Sequence, residues 1–136
     1  MFVIAGATKP YRRPTCYLSG PITGRSGYQL DFATAKANME SVGFKAISPV
    51  TDCGCSDEFS WELNMQLCLQ RMHGCTHILM LPGWENSRGA RIEFDNAAAT
   101  CMTRVKIVDP GGIELVKLGW QDSIWSREGA LFVAPL

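Results

Sequence analysis

His77-Ile78-Leu79-Met80-Leu81-Pro82-Gly83-Trp84-Glu85-Asn86-Ser87-Arg88-Gly89-Ala90 is the stretch on which the reading of the fold turns. Residues 77–81 are nearly continuous in apolar character, as expected of a central parallel strand covered on both faces. Pro82 and Gly83 break it. Asn86 or Ser87 then stands where a helix N-cap would, and Ala90, Phe94, Ala97, Ala98 and Cys101 follow at helical spacing.

Toward the N-terminus, Thr15-Cys16-Tyr17-Leu18 is β-prone and runs directly into the glycine-proline loop Ser19-Gly20-Pro21-Ile22-Thr23-Gly24. Between Leu30 and Val42 the residues Phe32, Ala35, Met39 and Val42 predict a helix, with Gly43 placed as its C-terminal glycine. Phe44 to Ile47 predicts a second strand, closed by Ser48-Pro49. After a polar, irregular segment from Thr51 to Glu58, a second helix is expected from about Phe59 to His73, with Trp61, Met65, Cys68 and Met72 on one stripe and Gly74 after it. Toward the C-terminus, Val105 to Val108 predicts a further strand before Asp109-Pro110-Gly111-Gly112. Strands and helices in strict alternation indicate an α/β protein with a parallel sheet. The expected architecture is a single three-layer Rossmann/flavodoxin-like domain over residues 15–112, with four to five mostly parallel strands. Residues 1–14 read as an arm or an added edge strand. Residues 113–136, with Trp120, Trp125 and the apolar run Ala130 to Ala134, read as an edge strand or a tail packed on another subunit.

A chain of 136 residues fits one domain, and 13 basic residues balance 13 acidic ones, so no net field draws it to nucleic acid or an anionic membrane. With no run of roughly 18 apolar residues, neither a membrane span nor a signal peptide is expected. Four of the six cysteines fall inside predicted strands or helices, which fits a reducing, cytoplasmic location better than a disulfide scaffold.

Ligands of open parallel sheets bind beyond the carboxyl ends of the strands. Both glycine loops belong there. Gly20 and Gly24 allow close backbone approach, and Ser19, Thr23 and Arg25 add donors for a phosphate or ribose, although a Gly/Pro loop after a strand equally marks a plain turn. In the second loop the backbone amides of Ser87, Arg88 and Gly89 are placed to meet an anion at a helix N-terminus, and Gly89 leaves space for a ligand. Trp84 is either an aromatic wall for a base or a cover on the sheet end. Glu93 is read as lying off the face of Ala90, Phe94 and Ala97; on the residues alone it is an exposed carboxylate that favours the helix dipole. His77 reads as a packed histidine and His73 as a surface charge that complements a helix dipole, so neither is favoured as a catalyst. Cys53-x-Cys55 has no second pair, so no metal and no cofactor is expected. The G-x-S-x-G elbow and the G-x-x-x-x-G-K-[ST] phosphate loop are absent, which argues against an esterase and an ordinary NTPase.

On residues 17–24, on Gly43 and Pro49, and on the long segment Cys75 to Glu93, the chain resembles the nucleoside 2-deoxyribosyltransferase-like superfamily, most closely its small phage and bacterial DUF4406 branch. The resemblance covers about residues 15–108. It implies N-glycosidic chemistry, with Glu93 as nucleophile on an anomeric carbon. It further implies that Gly20 and its neighbours Pro21 and Ile22 line the sugar and phosphate, that Ser87 and Gly89 receive the 5′ end or its phosphate, and that Tyr17 is a site residue. Two positions depart from the superfamily's pattern. Cys68 stands where an aspartate assists the leaving base, with Gln66 as the nearest alternative, and Thr76 replaces an aspartate before the central strand. Asp31, Asp52, Asp57 and Glu85 are the carboxylates available to substitute. Three readings follow: a nucleoside or nucleotide N-glycosidase or deoxyribosyltransferase; a nucleotide-binding protein without turnover, such as a phage protein that sequesters a nucleotide or an ADP-ribose-type immune signal; and an assembly protein with a vestigial pocket. The resemblance also implies a homo-oligomer.

Overall fold

The side-chain alternation of the first strand sets the layering. In β1 (Thr15–Ser19), Cys16 and Leu18 face one way and Tyr17 and Ser19 the other, as the period of two requires. Cys16 and Leu18 join Phe32, Ala35 and Met39 of α1 (Tyr28–Ser41) in one buried cluster. Tyr17 joins Cys68 and Met72 of α2 (Trp61–Met72) and Ala90, Phe94 and Ala97 of α3 (Arg88–Ala99) in a second. The sheet thus lies between α1 on one side and α2 and α3 on the other, a three-layer α/β arrangement. The computed structural model describes residues 13–108 and 111–123.

Besides β1 the sheet contains β2 (Lys45–Ile47), β3 (His77–Met80), β4 (Thr103–Val108) and β5 (Gly112–Lys117), in the order β2-β1-β3-β4-β5. The first four are parallel, with Tyr17 opposite both Ile47 and Ile78, and β5 runs antiparallel to β4. This is the order of a flavodoxin-like sheet, with the topological switch between β1 and β3. The predicted parallel α/β domain is therefore present. β5 (Gly112–Lys117) forms an edge of the sheet. Trp125, the run Ala130 to Ala134 and most of the 1–14 arm lie outside the described residues.

Local chemistry explains the helix ends. Gly27, at φ 80°, admits the chain to α1 two residues before the expected start. At the other end Phe44 N–H bonds the Met39 carbonyl (3.0 Å) and Gly43 N–H the Glu40 carbonyl (3.2 Å), a Schellman closure in which Gly43 takes φ 105°. Val42, expected on the buried stripe, is the C-cap and is half exposed. Ser60 Oγ caps α2 by accepting from Leu63 N–H at 3.0 Å, which leaves Phe59 outside the helix. Ser87 rather than Asn86 caps α3, accepting from Ala90 N–H at 3.2 Å. No described helix is long and apolar enough to cross a membrane.

Candidate active site

From β1 and β3, neighbours in the sheet, the chain leaves toward α1 on one face and α3 on the other, which opens a crevice at their carboxyl ends. The two glycine loops meet there. A Cβ on Gly20 would lie 2.7 Å from Leu81 Cβ, so only glycine lets the first loop pass the end of β3 this closely. Leu81 N–H bonds the Ser19 carbonyl at 2.7 Å and carries the strand pairing to the rim of the crevice.

Glu93 is the centre of the site, and its environment overturns its reading as an exposed carboxylate. It is 5% exposed. It stands three residues after Ala90 and four before Ala97, both buried, so it shares their face of α3. Tyr17 Oη donates to one carboxylate oxygen at 2.7 Å and Ser19 Oγ to the other at 2.6 Å. Both donors are fully buried, and both come from alternate positions of β1. Burial pushes the Glu93 carboxyl up to about 8, against the two hydroxyls that favour its ionised form. Burial and the neighbouring Glu93 raise the Tyr17 phenol well above its ordinary range, so it remains a donor.

A cavity of about 410 Å³ opens beside this carboxyl. Of the residues expected at the site, Gly20, Ile22, Thr23, Ser87, Gly89 and Glu93 line it, while Tyr17 and Ser19 act from behind Glu93. Pro21, Gly24, Arg25, Trp84 and Arg88 are not in the lining. Arg25 is exposed and paired with Asp31 at 2.6 Å. Pro21 packs beside Gly83. Trp84 stacks on Phe94 with ring centroids 4.7 Å apart, so it covers the sheet end rather than walling the cavity. The aromatic wall is instead Trp61 of α2, with the Arg88 guanidinium 4.2 Å over its ring. Gly89 faces α2 as well as the cavity, since a Cβ there would meet Met65 Sδ at 3.1 Å.

Sequence spacing alone does not choose among the spare carboxylates; the structure separates them. Asp57 lines the cavity. Asp31 is paired with Arg25, Asp52 is bound to Lys36 Nζ at 2.8 Å, and Glu85 is exposed and outside the lining. Cys68 is on the cavity wall, whereas Gln66 is exposed. Thr76 precedes β3 at the end of the sheet opposite the crevice, where its hydroxyl meets His77 Nδ1 at 2.7 Å. Tyr28, Gln29, Asn64, Trp61 and Met65 also line the walls and are not among the site residues the sequence pointed to. For Trp61 and Met65 a signal existed. They begin the α2 stripe, one turn apart and both only partly buried, and this end of the stripe borders the cavity; Cys68 reaches both the cavity and the core, and Met72 packs into the core.

Three thiols meet beneath the wall. Cys55 Sγ and Cys68 Sγ are 3.6 Å apart, and Cys53 is buried in the same cluster. The Cys68 thiol is brought down to about 6, in spite of its burial, by the neighbouring Cys53, Tyr17 and Cys55 side chains, any of which can turn its proton toward a thiolate there. Burial pushes Cys55 up to about 12, and Cys53 is raised by the neighbouring Cys68 sulfur and by burial. No group of three or more His, Cys, Asp or Glu side chains placed to hold a metal occurs among the described residues.

With this geometry in view, the family match is informative. The family model DUF4406, a domain of unknown function, matches residues 14–108. The chain belongs to the DUF4406 family. The DUF4406 segment runs from β1 through β4 and contains every residue of the cavity and of the Tyr17-Ser19-Glu93 arrangement; β5 lies beyond it. No curated protein and no solved structure matches the chain.

Proposed function

We propose that this DUF4406 domain is a nucleoside or nucleotide N-glycosidase, or a 2-deoxyribosyltransferase-like enzyme, in which Glu93 attacks the anomeric carbon. The observation that carries the reading is the Glu93 carboxyl on the cavity wall, with each oxygen fixed by a buried hydroxyl, Tyr17 on one and Ser19 on the other. Attack forms a bond from a carboxylate oxygen to the anomeric carbon while the bond to the base nitrogen breaks. The base leaves with that electron pair and takes a proton from an acid. Asp57, the other cavity-lining carboxylate, is assigned that role in place of the aspartate that Cys68 replaces. The volume falls within the usual span of small-molecule pockets, about 300–1,000 Å³, and Trp61 and Tyr28 offer aromatic walls to a base.

Glu93 is mostly protonated at neutral pH in the free site, and only its ionised form is a nucleophile. An electron-poor anomeric centre lying against the carboxyl favours ionisation, so a bound sugar would itself activate the residue.

The test is incubation with nucleosides, deoxynucleotides, NAD and cyclic nucleotides, with chromatography of released base. Expected are base release, its abolition in Glu93→Gln with the fold intact, and a fall of about 10² to 10⁴ in rate in Asp57→Asn. Base release that persists in Glu93→Gln would overturn the assignment. A second reading, capture of a nucleotide or ADP-ribose-type molecule without turnover, is favoured by the thiol at position 68 and by the raised Glu93 carboxyl. It predicts that ligand released by heating is intact and that Glu93→Gln binds as well as the native chain.

A further inference from the structure

We propose that Cys55 and Cys68 form a peroxide-reactive thiol pair that closes to a disulfide on the wall of the cavity. All six cysteines are free thiols, and this pair stands at 3.6 Å, sulfur to sulfur. Both line the cavity, which gives a small oxidant a route to them. Cys16 and Cys75 are buried and do not line it, and Cys53 is turned toward the Ser48 carbonyl at 3.9 Å.

The placement of Cys55 follows from a clamp. Asn64 on α2 accepts from Ser56 N–H at 3.1 Å through Oδ1 and donates to the Ser56 carbonyl at 3.0 Å through Nδ2. Its own backbone carbonyl accepts from the Cys55 thiol at 3.7 Å. Cys68 follows Asn64 by four residues, one turn further along the same face, so the clamp that fixes Ser56 also aims Cys55 at Cys68. Bonded sulfurs lie about 2.05 Å apart. The remaining approach falls to Cys55, which sits in an irregular loop next to Gly54 at φ 75°, while α2 holds Cys68 in place.

The chemistry has a natural order. Cys68, whose thiol is the one of the three most readily ionised, attacks one oxygen of hydrogen peroxide as thiolate. The O–O bond breaks, a sulfenic acid forms, and the departing hydroxide takes up the proton that Cys68 had released, giving water. The Cys55 sulfur then attacks the sulfenic sulfur, the S–O bond breaks, and the hydroxyl leaves as a second water with the Cys55 proton. Two thiols have lost two electrons and peroxide has been reduced to two waters.

The full chain is treated with a few equivalents of hydrogen peroxide, blocked with iodoacetamide and digested without reduction for mass spectrometry. The expected product is a peptide pair linked through Cys55 and Cys68, two hydrogens lighter than the reduced pair and released by dithiothreitol. Cys55→Ser, checked for native circular dichroism, leaves Cys68 trappable by dimedone as sulfenic acid with no internal link. Asn64→Ala slows bridging several-fold by releasing the clamp. Oxidation confined to exposed Cys101, or a native chain in which Cys53 takes the place of Cys55 in the link, overturns the proposal. The readout is a mass, so it stands or fails separately from base release.

Discussion

Ser19 Oγ donates to Glu93 Oε1 at 2.6 Å across 74 positions of sequence. A strand-end hydroxyl and a helix carboxyl thereby tie the two glycine loops into one site, and the same contact ties the ionisation of Glu93 to folding.

The pH dependence of stability follows from that tie. The carboxyl ordinarily titrates at 4.5 and is raised to about 8 in the fold, so between these values the folded chain keeps a proton that the unfolded chain gives up. Its contribution is full below 4.5 and is lost as pH rises toward 8. At about 1.4 kcal/mol for each pH unit across that window, the loss reaches as much as about 5 kcal/mol. His77, lowered by burial, and Cys68, lowered by its donors, act in the opposite sense over parts of the range. The informative quantity is therefore the difference between the native chain and Glu93→Gln in urea unfolding at pH 5 and at pH 8. The glutamine variant should gain on the native chain by several kcal/mol at the higher pH; equal slopes would contradict the burial of this carboxyl.

Tyr17→Phe and Ser19→Ala each remove one donor to the carboxylate. Each should cost about 1–2 kcal/mol at pH 8, where the carboxylate form is populated, and less at pH 5. Each should also raise the pH at which base release reaches half its maximum, because the ionised form loses a partner. Denaturant titration and a pH–rate profile read the two effects separately.

Gly20 and Gly89 both line the cavity but should respond oppositely to alanine. At Gly20 the new Cβ collides with Leu81 Cβ, and the loss should be about 1–3 kcal/mol. Adding Leu81→Ala should not rescue it, since alanine keeps the offending Cβ. At Gly89 the new Cβ crowds the flexible Met65 side chain and meets Trp61 at an ordinary contact distance, and a helical glycine is replaced by a better helix former. The result should lie within about 1 kcal/mol of neutral. Thermal melts of the two variants and the double variant decide this.

The two loop-end tryptophans should also divide. Trp84→Ala unstacks Phe94 and should lower stability by about 2 kcal/mol while sparing affinity for any ligand of the cavity. Trp61→Ala opens the cavity wall and releases Arg88, so affinity should fall more than stability. Calorimetric binding beside denaturant unfolding distinguishes them; the reverse pattern would return Trp84 to the site.

The amino-acid sequence by itself determined the parts of this protein that rest on near neighbours: the apolar run of β3, the glycine after α1, the start of α3 to within one residue, and the two loops at the strand ends. Periodicity and capping act over a few residues and can be read directly. What only the tertiary structure decided concerns groups that meet from far apart. The sequence alone presents Glu93 as an exposed carboxylate and does not show that Tyr17 and Ser19 of β1 stand opposite it. It does not tell Asp57 from Asp31, Asp52 or Glu85, which differ chiefly in where loops and cationic partners have been carried. It does not tell Trp61 from Trp84, because both are tryptophans at the start of a helical segment and only packing assigns one to the cavity and one to Phe94. The raised Glu93 carboxyl and the Cys55–Cys68 approach are likewise products of burial and of long-range contact, in which solvent exclusion and distance, rather than residue type, set the chemistry.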